Sequence, residues 1–138
     1  LIVKAFFVSE LEDKTLFENA YNRAIRYPKN VTVAYRDWGF FHAGLAEFRK
    51  GDLNKAVEYA NRSMNLPHSG ANHELALKAL NHSLLALVYD KEGSEEEAEK
   101  ALEIAKYNSQ EMRKLKLWFH DLYLSDLLIK ECEASISN

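Results

Sequence analysis

The sequence predicts an all-α fold, and three observations lead to this prediction. The 138 residues include only five glycines and two prolines, so the chain has few places to turn and its elements must be long. Small or apolar residues recur about every four positions along several segments, as one buried helical face requires. Two similar phrases, RKGDLNKAVEYANRSMNLP at 49–67 and KEGSEEEAEKALEIAKYNS at 91–109, indicate a repeated helical hairpin.

Composition narrows the class of protein. A hydrophobic content of 47% and a charged content of 28% are ordinary for a globular chain, and the length predicts a single domain over 1–138. The net charge of −3, with Lys and Arg scattered among acids, argues against nucleic acid as a partner. The single cysteine, Cys132, favours a reducing, cytoplasmic location. The apolar opening LIVKAFFV contains Lys4 and is too short for a signal peptide or a membrane span. The missing initiator Met predicts either a piece of a longer protein or a missing leader.

Three residues are predicted to begin helices, because their short side-chain oxygens can accept a hydrogen bond from a first-turn amide. They are Asp13, Asp52 and Ser94, which lie 39 and then 42 residues apart. Ser94 also pairs with Glu97 as a capping box, and Thr15 offers a competing start for the first helix. This spacing is typical of stacked helical hairpins.

A helix is predicted to follow each cap, over 14–28, 53–67 and 95–109. Pro28 and Pro67 each lie fifteen residues after a cap, where proline stops a helix.

Two longer helices are predicted between these segments, over about 31–50 and 70–91. Each ends before a glycine, Gly51 or Gly93, that can adopt the left-handed closing conformation. A final helix is predicted over about 109–134.

The clearest repeat places Leu85, Ala86 and Tyr89 before Gly93, and Ala98, Leu102 and Ala105 after it. This pattern resembles the tetratricopeptide repeat (TPR). The resemblance implies a right-handed solenoid of about three antiparallel helical hairpins, with repeats over about 1–28, 31–67 and 70–107 and a long C-terminal capping helix. The usual repeat has about 34 residues, so lengthened leading helices are implied, as in regulatory proteins of this family. The start of the chain is also similar to the half-a-TPR repeat of RNA-processing scaffolds.

A TPR-like solenoid binds peptides or helices on its concave face. The family's groove positions fall here on Phe41, Leu45, Phe48, Arg49, Ser83, Leu87, Asp90 and Lys91. The Lys and Asn with which some members clamp a peptide's terminal carboxylate are missing from these positions, so the resemblance implies mainly apolar and mixed contacts. We therefore expect a protein-protein interaction module within a larger regulatory protein. The alternative is a chaperone that holds an apolar client segment in secretion or assembly.

The C-terminal helix carries a second apolar face, beyond the one that a capping helix needs. It consists of Trp118, Tyr123, Leu124 and Leu128. A terminal repeat must hide one apolar side, but a helix that is apolar nearly all round predicts a further partner. That partner would be another protomer in a homodimer, a downstream domain, or the module's own groove.

The histidines are the main candidates for metal binding or catalysis, and they lie at His42, His68, His73, His82 and His120. The segment HELAL starts like a metalloprotease helix, but Leu77 occupies the position four residues after His73 where the second ligand is needed. No glycine elbow is present to hold a nucleophile. The sequence therefore predicts no enzyme, no metal and no cofactor.

A direct test follows from this spacing. Dialysis against a chelator should leave the thermal unfolding curve unchanged, because no set of ligands has the spacing of a structural metal site. A fall of many degrees in Tm, reversed by adding back a divalent metal, would contradict this interpretation of the histidines.

Overall fold

The structure, a computed structural model, describes residues 13–30, 35–67, 70–116 and 119–136. Within these ranges the chain forms six α-helices and no strand, which confirms the all-α prediction. The helices are α1 (Lys14–Asn30), α2 (Arg36–Lys50), α3 (Leu53–Asn65), α4 (Ala71–Glu92), α5 (Glu95–Lys114) and α6 (Phe119–Ile136).

The chain divides into two compact units, Leu1–Pro67 and His68–Asn138. In the first unit, α2 packs against both α1 and α3. In the second unit, α4 packs against α5 and α6, and these two helices also pack against each other. In each unit one helix, α2 in the first and α4 in the second, packs against both other helices and buries more apolar side chains than either of them.

Two of the three predicted helix caps are confirmed. Asp13 Oδ1 accepts hydrogen bonds from the backbone amides of Thr15 and Leu16, at 2.9 and 3.1 Å. Asp52 Oδ1 accepts from the amide of Lys55 at 3.1 Å. Each carboxylate satisfies amides that the first turn of a helix leaves without a partner. Asp13 rather than Thr15 therefore starts the first helix.

The third predicted cap, Ser94, has the predicted position but not the predicted hydrogen bond. Ser94 does precede α5, but its side chain forms no capping hydrogen bond, and the predicted capping box with Glu97 is therefore not formed. The first turn instead holds three acids, Glu95, Glu96 and Glu97, whose charges are favourable at the positive end of a helix.

Both predicted glycine turns are confirmed. Gly51 has φ 97° and Gly93 has φ 79°, a left-handed conformation that costs other L-residues energy. The amide of Gly51 donates to the carbonyls of Glu47 and Phe48, and that of Gly93 donates to Asp90, all at 3.0 Å. These bonds close α2 and α4 and let α3 and α5 fold back as hairpins.

Several predicted boundaries are wrong. Pro28 lies inside α1, which continues to Asn30, because a proline near the end of a helix removes only one late backbone hydrogen bond. The predicted helix over 109–134 is split: its first residues belong to α5, and a turn at Leu115 and Lys116 (φ 51°) precedes α6. The predicted start of the second repeat at 31–34 and the first repeat's leading segment, 1–12, lie outside the described residues.

Small residues allow the close packing of the hairpin in the second unit. Ala98 and Ala105 of α5 are fully buried and Ala101 is nearly so, as expected where two helices approach closely. A larger side chain at Ala98 would have to displace well-packed neighbours.

We predict that Ala98→Leu lowers the free energy of unfolding by about 1–3 kcal/mol, because added methyl groups overpack the contact. Urea unfolding followed by circular dichroism measures this loss. The matched control is Ala71→Leu at the exposed start of α4, which should change stability by less than about 0.5 kcal/mol. Equal effects of the two substitutions would contradict the packing described for α5.

Candidate functional site

The groove residues implied for the second repeat are part of the core. Phe41 and Leu45 have no exposed surface and Phe48 is 5% exposed, so they do not line an open groove, which corrects that expectation. The cause is the position of α2, which packs against both other helices of its unit. Arg49 is half-buried, with its guanidinium carbon 5.4 Å from the centre of the Phe48 ring.

The groove residues implied for the third repeat are largely covered by α6. Ser83 is fully buried and Leu87 is 3% exposed. The Cys132 thiol donates to the Ser83 carbonyl at 3.2 Å, and the Ser135 hydroxyl donates to the Asp90 carboxylate. Only Lys91 of this set is exposed. The chain's own C-terminal helix therefore occupies much of the surface that was expected to bind a partner.

The predicted C-terminal interface is also changed by this packing. Leu124 is 7% exposed and Leu128 is fully buried, because α6 contacts both α4 and α5. These two leucines are covered within the chain. Of the three partners expected for this face, the burial favours the one within the module itself and leaves these two side chains out of reach of another protomer. Tyr123 is exposed, and Trp118 lies outside the described residues.

An open cavity of about 620 Å³ lies in the first unit. Three chain segments meet there: the last turns of α1, the first turns of α2, and the end of α3 with the residue that follows it. Its apolar and aromatic lining consists of Ile25, Pro28, Phe40, Tyr59 and Leu66. The Phe40 and Tyr59 rings stack with their centres 5.9 Å apart. A cavity of this volume lies within the range of ligand-binding pockets.

The close approach of α1 to α2 sets the position of this cavity. A Cβ atom on Gly39 would lie 2.9 Å from the Cα of Pro28 and 3.0 Å from a ring carbon of Tyr27. Glycine therefore permits a backbone contact that a larger residue would prevent. This contact holds Arg36 and Phe40, at the start of α2, beside the end of α1.

The polar lining of the cavity is cationic. Lys29, Arg36, Arg62 and Asn65 line it, and none of the described lining residues is acidic. The guanidinium carbon of Arg62 lies 4.4 Å from the centre of the Phe40 ring, a cation–π geometry. Arg62 also pairs with Glu58 at 3.6 Å. Both partners of that ion pair are more than half exposed, so it contributes little.

Arg36 is the most unusual of these cations. Its Nε atom is buried and has no hydrogen-bond acceptor among the described residues. The next residue, Asp37, is 2% exposed, and its Oδ1 accepts from the backbone amide of Trp38 at 2.8 Å. Sequence reasoning missed this cluster, because its members come from three separated segments. The sequence placed the start of this helix at about 31, so Arg36 was not recognised as the first residue of α2.

A second polar cluster in the first unit surrounds Glu47, which is 2% exposed. Its Oε1 accepts from the Tyr21 hydroxyl at 3.0 Å, and Lys50 Nζ lies 4.1 Å from the centre of the Tyr21 ring. Burial and the neighbouring carboxylate raise the pKa of Tyr21. Glu47 Oε2 has no hydrogen-bond partner within the part of the chain that the structure describes. This cluster ties α1 to α2, and none of its three members is among the described lining residues of the cavity.

The buried histidine and cysteine are poor catalytic groups. Burial lowers the pKa of His42 to about 4, and the edge of its ring packs against Tyr27 with ring centres 5.5 Å apart. Burial also raises the pKa of the Cys132 thiol to about 12. Each is therefore neutral near pH 7, so His42 is a weak base that lacks the acidic proton of an imidazolium, and Cys132 lacks the thiolate that reacts.

Metal binding and membrane insertion gain no support from the described chain. Across 13–30, 35–67, 70–116 and 119–136, no three His, Cys, Asp or Glu side chains form a group that could hold a metal ion. None of the helices within those ranges is long and apolar enough to cross a membrane.

Comparisons with known proteins add no assignment. No protein-family model matches the chain, and neither the curated proteins nor the solved structures include a significant match. The TPR thus remains a resemblance carried by the sequence pattern.

The lowered pKa of His42 predicts acid sensitivity of the fold. As pH falls from about 6.5 to about 4, the unfolded state binds a proton that the folded state does not, so stability is lost over that window and then levels off. The loss is at most about 3 kcal/mol, since the residue keeps some exposed surface.

Urea unfolding between pH 7 and pH 4 measures this effect. His42→Gln removes the titrating group, so the stability difference between the wild type and this variant isolates it from the titration of carboxylates. That difference should shrink as the pH falls. A difference that is independent of pH would show that His42 titrates alike in both states.

Proposed function

We propose that the chain is a protein-interaction module that binds a peptide or helix of a partner protein in the cavity of the first unit. The observation that carries this proposal is the open cavity of about 620 Å³ lined by Phe40, Tyr59 and Arg62. Aromatic residues and arginine supply much of the binding energy at protein interfaces. Their rings and guanidinium are held in place by stacking before any partner arrives, which lowers the entropic cost of binding.

The TPR resemblance supports the same class of function. The two hairpins α2–α3 and α4–α5 close with the same glycine geometry at Gly51 and Gly93. A stacked, TPR-like solenoid, membership of a larger regulatory protein and a cytoplasmic location belong to this proposal. The proposed binding site differs from the family's concave line, because those positions are mostly buried in this chain.

The chaperone alternative has one observation in its favour. The second unit exposes Ile104, Tyr107, Leu115 and Tyr123, which are 42–63% exposed. Apolar side chains of this size could hold an apolar client segment. They are single residues on α5, α6 and the turn between them, whereas the first unit has a defined cavity. We therefore rank this function second.

Peptide selection tests the proposal. Random dodecapeptides displayed on phage are selected against the chain, and the dissociation constants of enriched peptides are measured by fluorescence polarisation. Tyr59→Ala should weaken binding about tenfold or more, because it removes an aromatic wall of the cavity.

The matched control is Tyr107→Ala, which removes an exposed tyrosine of the second unit and should leave affinity unchanged. Thermal unfolding of both variants checks that the fold is kept. Peptides that are sensitive to Tyr107→Ala and insensitive to Tyr59→Ala would favour the chaperone surface. Failure to enrich any peptide would contradict an interaction module.

A further inference from the structure

We infer that the cavity of the first unit recognises a carboxylate carried beside an apolar side chain, so that its partner segment is acidic and apolar. The carboxylate is that of an Asp or Glu, or of a chain terminus. This inference rests on the proposed function in taking a protein segment as the carrier. It adds the chemistry that selects that segment.

Arg36 provides the strongest argument. The guanidinium group keeps its charge at any accessible pH and offers five N–H donors. One of these, on Nε, is buried without an acceptor among the described residues. A buried donor that lacks a partner is destabilising, and more so when it is charged. Arg36 lines the cavity and is only half-buried as a whole, so a ligand carboxylate would meet the other donors of the guanidinium, not Nε, and would offset part of the cost of burying this charge.

The position of Arg36 on its helix gives a second argument for a bound anion, and this argument does not depend on burial. Arg36 is the first residue of α2, where the helix dipole is positive and a cation is unfavourable. Lys29 and Arg62 lie in the last turns of α1 and α3, where the same dipole favours a cation. Helix stability therefore accounts for Lys29 and Arg62 but not for Arg36. An anion bound beside Arg36 would be stabilised by the guanidinium and the helix end together.

The described lining of the cavity carries three cations and no acid. The carboxylate of Asp37 accepts from a backbone amide of its own helix, and Glu58 approaches Arg62 only to 3.6 Å on an exposed surface. The chain as a whole has a net charge of −3, so this group of cations is a local feature. An unmodified peptide or helix carries its anions as carboxylates, so a partner segment of the proposed kind would meet these cations with a carboxylate, and phosphate is the competing ligand. The rings of Phe40 and Tyr59 supply the surface for the adjoining apolar group.

Three small probes separate the possible ligand chemistries. N-acetylphenylalanine carries a carboxylate beside an aromatic ring, N-acetylphenylalaninamide is its neutral counterpart, and phenyl phosphate replaces the carboxylate by a phosphate. Each is titrated at pH 7 into the ¹⁵N-labelled chain, and the backbone amide shifts are followed by NMR. We expect saturable shifts at Arg36 and Phe40 with the carboxylate probe. The neutral probe should bind at least about tenfold more weakly.

Variants identify the group that is responsible. Arg36→Gln should weaken the carboxylate probe about tenfold and Arg36→Lys by less, because lysine keeps the charge but not the planar fork. The matched control is Arg23→Gln, which removes the same charge from an exposed position of α1 outside the described cavity lining and should have no effect. If Arg36→Gln does not fold, as judged by its amide spectrum, Arg62→Gln provides the same test.

Each remaining outcome would overturn the inference. Equal affinities for the neutral and the carboxylate probe would show that the charge of the ligand does not contribute to binding. The proposed function would not be affected by that result. Tighter binding of phenyl phosphate would assign the site to phosphate. No shift at the cavity with any probe would show that the cavity binds neither a carboxylate nor an aromatic group. The peptide selection then decides separately whether the chain binds partner segments at all.

Discussion

The contact between Gly39 and Pro28 is the constraint on which the first unit depends. At this point the backbone of α2 approaches α1 so closely that a Cβ atom would lie 2.9 Å from a Cα atom. The contact fixes where α1 and α2 meet. It therefore also fixes the positions of Arg36, about one turn before Gly39, and of Phe40, the next residue. The second half of α3 is held beside α2, because the Tyr59 ring stacks on the Phe40 ring. Helices that are in close contact at one point separate on either side of that point. Open space therefore remains beside the contact, and the ends of α1, α2 and α3 surround this space. The cavity is thus a consequence of the packing that stabilises the unit.

Most of the charged groups near that cavity stabilise the fold, but Arg36 does not. Cations at the ends of α1 and α3 stabilise the helices that carry them, so their presence has an explanation without any ligand. The buried carboxylate of Glu47 is likewise used within the fold, where it accepts a hydrogen bond from Tyr21 and joins α1 to α2. Arg36 differs from these groups, because both its helix position and its buried Nε are unfavourable in the chain alone. A side chain whose placement costs stability is the one most informative about function.

The sequence was sufficient for features that depend on a few neighbouring residues. The caps at Asp13 and Asp52 and the turns at Gly51 and Gly93 were predicted correctly, because each follows from the local chemistry of one side chain or one glycine. The turn at Lys116 was missed, because no glycine or proline marks it. The family resemblance implied that Phe41, Leu45 and Leu87 face a groove, but it could not distinguish a bound partner from the chain's own helices, against which these side chains are buried. The cavity could not be predicted, since its cations come together only when three distant segments pack.

The C-terminal helix shows why the family's groove positions were a poor guide to the site. In the second unit, α6 contacts both α4 and α5, and its Cys132 and Ser135 form hydrogen bonds to Ser83 and Asp90. A surface that hydrogen-bonds its own chain cannot bind a partner without first breaking those contacts, and the cost of breaking them would be subtracted from the affinity. The cavity of the first unit carries no comparable cost, because its rings are already stacked and its Arg36 gains an acceptor on binding. On energetic grounds a ligand should therefore prefer the first unit, even though the family resemblance is strongest in the second.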